Sequence, residues 1–208
     1  MKSEQGRWVR RIKNLKAERK SVLGDVYMAA NMLSYFGPLS ATARSKLLAR
    51  WSKLLQGFEI PYTYGLEIED TLGKKSKIQT WVKNGLLDDK FFFINMLVFE
   101  TNNSPTLIYE PNGHAIAWIK RNRKQRSEFV QLNEENFLEK LQHSLENGKL
   151  FVVEGYVGAK TSLIEELLKE DIFLVDGTES IQINGVSYEY NEDFRLVLIS
   201  KSTDIFEK

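Results

Sequence analysis

The sequence has no cysteine, only two histidines and no long apolar run. Without cysteine there is no disulfide framework and no thiolate metal site, which is compatible with a reducing compartment. His114 and His143 lie far apart with no matching carboxylate pattern, so no metal site is expected. The longest apolar stretch, FFFINMLVF at 91–99, is interrupted by Asn95. A spanning helix needs about 20 apolar residues, so no membrane partner is expected. Lys2, Glu4, Arg7 and Arg10 stand where an apolar signal core would be, so no secretory signal is expected. Net charge is also nearly absent, +1 over 208 residues, but it is unevenly spread. Residues 1–23 hold eight Lys or Arg against Glu4 and Glu18, a local +6 that leaves −5 for the rest. The composition itself, 42% hydrophobic and 27% charged, is that of an ordinary chain able to bury a core.

The basic arm has a period. Trp8, Ile12, Leu15, Arg19, Val22, Val26, Ala29 and Leu33 follow alternating steps of four and three, a heptad seam with one polar exception. The seam passes Gly24-Asp25 without losing register, and Gly37-Pro38 ends it. So few apolar layers do not hold a coiled coil alone, so a partner helix absent from this chain is expected. A second helix is predicted over 42–56, capped by Ser40, stopped at Gly57, with Leu47, Leu48, Trp51, Leu54, Leu55 and Phe58 on its apolar face. Residues 61–89 read as loops with short helices around Leu66–Leu72 and Lys77–Lys83. The 91–99 run fits either a buried strand or a buried helix. Trp51, Trp81 and Trp118 sit among apolar neighbours and are assigned to the core.

From Thr106 strands and helices alternate. Strands are predicted at 106–110, 128–132, 149–154 and 194–200. Helices are predicted at 114–123, 134–146 (capped by Asn133, stopped by Gly148) and 162–169. SIQINGVSYEY alternates across Asn184-Gly185 and reads as a hairpin. Near-continuous apolar strands between helices give the fold class: α/β, a parallel sheet flanked by helices.

In such a sheet, ligands bind where strands run into helices. TLIYEPNGHAIAWIK places Pro111, Asn112, Gly113, His114 and Ala115 at that junction. A phosphate-binding loop ends there in Gly-Lys-Ser/Thr, whose lysine meets the terminal phosphates and whose hydroxyl meets Mg²⁺. His114 supplies no permanent cation, Ala115 has no oxygen, and Pro111 lacks an N–H. Losing two charge-assisted contacts of roughly 1.5–3 kcal/mol each costs on the order of 10²- to 10⁴-fold in affinity. The acidic pair that holds metal and orients water at a later strand end is reduced here to Glu154 followed by Gly155. No catalytic residue is therefore assigned. KRNRKQR (120–126) is explained by a solvated helix end favoured by the macrodipole.

GDVYMAANMLSYFGPL (24–39), preceded by Arg7-Trp8 and the heptad helix, resembles dynein heavy chains where the returning stalk helix enters the fifth AAA+ module. The resemblance continues collinearly through TLGKKSKIQTWVKNGLL (71–87), the 106–120 segment, FVQLNEENFLEKLQHSLENGKLFVVEGYVG and YNEDFRLVLISK. It implies a degenerate AAA+ P-loop-type sheet with an N-terminal coiled-coil extension. The division implied is 1–36, the stalk base; 37–104, a helical and loop part; and 105–208, the α/β core. Pro111 to Ala115 would be the vestigial phosphate loop, Glu154-Gly155 the vestigial acidic strand end, and Trp8, Ile12, Leu15, Val22, Val26, Ala29 and Leu33 the stalk seam. Leu87-Asp88 and Asn191-Glu192 depart from prolines usual in the family and point to a divergent, axonemal or dynein-like chain.

The function so implied is a non-catalytic mechanical module of an ATP-driven microtubule motor, anchoring the stalk through Val22, Val26, Ala29 and Leu33. No cofactor is expected in this segment, with ATP and Mg²⁺ held by other modules of the parent chain. The implied partners are neighbouring AAA+ modules, the outgoing stalk helix, other dynein subunits and, through the stalk tip, microtubules. The implied location is the cytoplasm and cytoskeleton, or the axoneme of a cilium. Two alternatives are a regulatory module holding ADP or ATP without turnover, and a nucleic-acid-binding module using the basic arm; heptad spacing disfavours the second.

Overall fold

The computed structural model describes residues 2–67, 71–72, 75–158 and 162–202. The chain divides into two compact units, Met1–Lys83 with Leu87–Thr101, and Asn84–Leu86 with Asn102–Lys208.

The first unit is helical: α1 (Lys2–Tyr35), α2 (Ala41–Gly57), α3 (Lys75–Lys83) and α4 (Lys90–Thr101). Proline-free α1 runs unbroken for 34 residues, about 51 Å at 1.5 Å per residue. Its C-terminal part buries Gly24, Met28, Ala29 and Met32, followed by Phe36. These contacts correct the expected anchor. Val22 and Val26 are 50% and 53% exposed, and Leu33 is half-buried; of that set only Ala29 is buried. The reason is geometric. The row 24-28-32-36 advances by fours, whereas the heptad seam alternates fours and threes and lies about a third of a turn away around the helix.

Ser40 caps α2 by accepting from Ala43 N, as expected. The helix ends at Gly57 as expected, with Phe58 as its C-cap, and the left-handed residue that follows is Glu59 (φ 54°). Trp51 and Leu55 are buried; Leu54 and Phe58, expected on the apolar face, are exposed. Trp51 stacks on Phe36, ring centroids 6.0 Å apart at 11°. The 91–99 run is helical, because Asp89 Oδ1 accepts from Phe91 N at 2.8 Å and starts α4. Asn95, which interrupts that run, accepts from Arg44 Nη2 at 2.7 Å. The short helix expected around Leu66–Leu72 falls partly outside the described residues; Thr71 and Leu72 are helical.

The second unit holds β1 (Thr106–Tyr109), α5 (His114–Arg123), a 3-10 turn (Lys124–Arg126), β2 (Ser127–Gln131), α6 (Phe137–Glu146), β3 (Leu150–Glu154), α7 (Ser162–Lys169), β4 (Ile172–Val175), β5 (Thr178–Ile183), β6 (Val186–Glu189) and β7 (Arg195–Ser200). The main sheet has the order β1-β7-β3-β2, every pair parallel. Leu150–Val153 and Leu196–Ser200 are buried throughout, as strands covered on both faces require. Phe137, Leu141 and Leu145 of α6 pack with Phe151 and Val153, Phe137 meeting Phe151 edge-on at 5.4 Å. The architecture is therefore the expected α/β class, a parallel sheet flanked by helices. Trp51, Trp81 and Trp118 are all buried, as assigned.

One local expectation fails, and one element is additional. Asn133 does not cap α6, which starts after Asn136. Glu134 instead folds back to accept from Gln131 N at 2.9 Å and Lys140 Nζ at 2.8 Å. A second, antiparallel sheet, β4-β5-β6, precedes β7, and its first strand was not anticipated. Asn184-Gly185 forms the expected hairpin turn with both φ positive, and Asp176-Gly177 forms a second one of the same kind.

Candidate functional site

β1 delivers the chain to the candidate turn. Glu110 N donates to Ser200 O at 2.8 Å, extending the β1–β7 ladder by one residue. Pro111-Asn112-Gly113 then reverses the chain, Gly113 adopting φ +81°, and α5 begins at His114. A helix start leaves backbone N–H groups unpaired and carries partial positive charge, which is what makes such junctions receptive to phosphate. Here two amides of the turn, one of them the first of the helix, are occupied from within. One carboxylate oxygen of Glu110, Oε1, accepts from Asn112 N at 3.1 Å and from His114 N at 2.8 Å. The residue is 8% exposed, and Oε2 is buried with no hydrogen-bond partner. Pro111 has no N–H to offer. Pro111, Asn112 and His114 are exposed, Gly113 and Ala115 half-buried.

At the end of β3, Glu154 is not free either. Lys120 Nζ, from the last turn of α5, lies 2.5 Å from its Oε1 and also sits 4.9 Å from the Phe129 ring centre. Gly155 has φ +74° and open space where a Cβ would be, so its backbone conformation alone accounts for the glycine. Tyr156 N then donates to Ile199 O at 2.9 Å. The basic run thus does more than cap a helix end: Arg121 Nη1 donates to Asn84 O at 3.3 Å, beside Gly85. Lys120, Arg121, Ala117 and Phe129 line a surface depression on the flank of α5.

The helical unit holds the other constellation, centred on α1. A Cβ at Gly24 would run into Pro61 O and come within 2.7 Å of Tyr62 Cβ, so the glycine permits a close approach rather than a bend. The adjoining Asp25 carboxylate accepts from Thr63 N at 2.6 Å and Thr63 Oγ1 at 2.8 Å, and Ser21 Oγ is 3.1 Å from the same hydroxyl. At the helix end, buried Arg44 donates from Nε to Phe36 O and Leu39 O, both at 3.0 Å. Its guanidinium lies 4.2 Å from the Phe91 ring centre. A cation at a helix C-terminus is favoured by the macrodipole; burial lowers the Arg44 pKa. About a third of a turn round α1, Trp8, Ile12, Leu15, Val22 and Val26 are exposed.

Sequence reasoning placed the turn and the strand-end acid but missed Glu110, Lys120, Arg44 and the Asp25–Thr63 pair. A carboxylate directly before a Pro-x-Gly helix start was the available signal for Glu110. Among the described residues no group of three or more His, Cys, Asp or Glu is placed to hold a metal, and no helix is long and apolar enough to cross a membrane.

Comparison with known proteins is consistent with this architecture. Residues 79–206 match the family described as the ATP-binding dynein motor region, more than half of the chain. Human dynein axonemal heavy chain 1 is 26% identical over 202 residues, 97% of this chain and 5% of its own length. Human dynein axonemal heavy chain 6 is 27% identical over 203 residues, again 97% and 5%. Pig dynein axonemal heavy chain 11 is 27% identical over 197 residues, 94% of this chain and 4% of its own length. The chain thus spans about 5% of the curated relatives it matches. It belongs to the family of ATP-binding dynein motor regions.

Proposed function

We propose that this chain is a non-catalytic, mechanical AAA-type module of a dynein-like microtubule motor, the fifth in its ring. On this reading α1 is the base of the returning stalk helix. The parent heavy chain is an ATP-driven motor of the cytoskeleton, and the names of its relatives favour the axoneme of a cilium. The partners are the adjoining AAA+ modules, the outgoing stalk helix, other dynein subunits and, at the stalk tip, microtubules.

The observation that carries the reading is the two-faced α1. One face is gripped through Gly24, Asp25, Met28 and Met32, and its end is held by Arg44. The other presents an exposed heptad row that a partner helix would cover. Apolar side chains at heptad spacing along an unbroken helix fit a coiled coil whose second strand comes from elsewhere in the parent chain.

The family's printed description includes ATP binding, and a module that holds nucleotide without turnover is the rival reading. Against it stand the carboxylate on the Asn112 and His114 amides, the lack of a lysine and hydroxyl at 114–115, and the neutralisation of Glu154 by Lys120. Titrating the chain with Mg-ATP and Mg-ADP up to millimolar concentration, followed by calorimetry and thermal shift, separates the two. The mechanical reading expects no saturable heat and no change in Tm. A one-to-one isotherm would favour the regulatory module.

A further inference from the structure

We propose that Glu110 is a built-in anion: its carboxylate takes the position a phosphate would occupy at the start of α5, and removing it would turn the junction into a phosphate-binding site. Three features of the turn support this. The carboxylate accepts from both Asn112 N and His114 N through a single oxygen, the converging pattern by which backbone amides hold an anion. The group is almost fully buried, so it fills the space above the amides instead of extending to solvent. Its second oxygen has no partner, and no Lys or Arg pairs with it among the described residues, so the amides and the helix start are what hold it there.

Covalent attachment decides the competition. Glu110 is one residue from Pro111, whose fixed φ, with the positive φ of Gly113, folds the turn back over its side chain. The carboxylate is therefore present at high effective concentration, and a free phosphate at millimolar levels meets amides that are already paired. The junction is in this sense shut by its own sequence and not merely short of a lysine. The inference rests on the reading that this turn holds no nucleotide, and it names the group that keeps it empty.

The test uses the whole 208-residue chain, with inorganic phosphate as the probe and the Asn112 and His114 amide resonances as the readout. The wild type should show neither amide shifting with phosphate, and both protected from hydrogen exchange. Glu110→Ala should lose that protection and gain a saturable, phosphate-dependent shift at both amides, with affinity raised by at least about tenfold. Glu110→Gln keeps an acceptor oxygen without the charge; it should lose part of the protection and show a phosphate response weaker than that of Glu110→Ala. If Glu110→Ala does not fold, Glu110→Gln decides: a saturable phosphate response at the two amides supports the proposal and its absence overturns it. A wild type with unprotected amides, or one that binds phosphate as well as Glu110→Ala does, overturns the proposal. So does a folded Glu110→Ala variant with no response. Mg-ATP binding to the wild type without movement of these amides would refute the nucleotide-free reading and leave Glu110's role standing.

Discussion

At the scale of single residues, the informative positions are those where local propensity and packing disagree. Gly24 lies in the interior of a long helix, where alanine is normally better by about 1 kcal/mol. The structure opposes that preference, because a methyl group there meets Pro61 O and Tyr62 Cβ, one of them backbone. Overpacking of this kind costs typically 1–3 kcal/mol, so the clash outweighs the propensity. Gly24→Ala is therefore expected to lower stability by about 1–2 kcal/mol net, measured by urea unfolding. An equal or higher midpoint would show that the 61–63 loop yields freely and grips nothing. Arg44 makes the same point with charge: a lone buried cation is unfavourable, yet here carbonyls at a helix end, an amide oxygen and an aromatic face take the place of water. No residue type in the local sequence announces that network, since Phe36, Phe91 and Asn95 come from separate elements.

Elements were legible where punctuation was local. Asn184-Gly185 marked its hairpin, and the apolar strands 150–154 and 195–200 marked the sheet centre. Asp176-Gly177 carried an equal signal but followed a four-residue strand whose side chains are all exposed, so no alternation framed it. The 91–99 run was ambiguous until Asp89 was seen to cap it. Asn133 misled because Glu134, one residue on, serves as the acceptor that fastens β2 to α6. That connection is also testable by titration. The hydrogen bond from Lys140 holds the Glu134 carboxyl below its ordinary range and raises Lys140 in return. Both shifts favour the folded state between the ordinary glutamate and lysine pKa values. The glutamate's share is lost as pH falls through its lowered pKa, the lysine's as pH rises through its raised one. Burial acts oppositely on Glu170, lifting its pKa. Carboxyl NMR should find Glu134 titrating below Glu170, and Lys140→Met should return Glu134 toward the ordinary value while leaving Glu170 in place. An unchanged Glu134 in that variant would show that the pair seen here does not form in solution.

At the scale of the molecule, the location of the candidate site was readable and its contents were not. A strand, Pro-Asn-Gly and a helix start define the junction in fifteen consecutive residues. What fills it depends on where the Glu110 side chain folds, and what neutralises Glu154 depends on a lysine from another element. The same division holds for α1. Its heptad row was visible in the sequence, whereas the face that the helical unit holds follows a different stagger, and of Val22, Val26, Ala29 and Leu33 only Ala29 is buried on it. On the proposed reading, a helix with one face held and another exposed transmits a shift between a ring and a partner strand only while the grip persists.

The most direct measurement is therefore microtubule stimulation of ATPase activity in the parent heavy chain carrying Asp25→Ala with Thr63→Ala. The pair removes the hydrogen bonds from Asp25 and Ser21 of α1 to Thr63 of the 61–63 loop and leaves the turn at 110–115 untouched. The account predicts a normal basal ATPase rate with stimulation reduced at least about tenfold, a change in coupling near 1.4 kcal/mol. Full stimulation in a variant whose α1 is demonstrably released from the loop would contradict it.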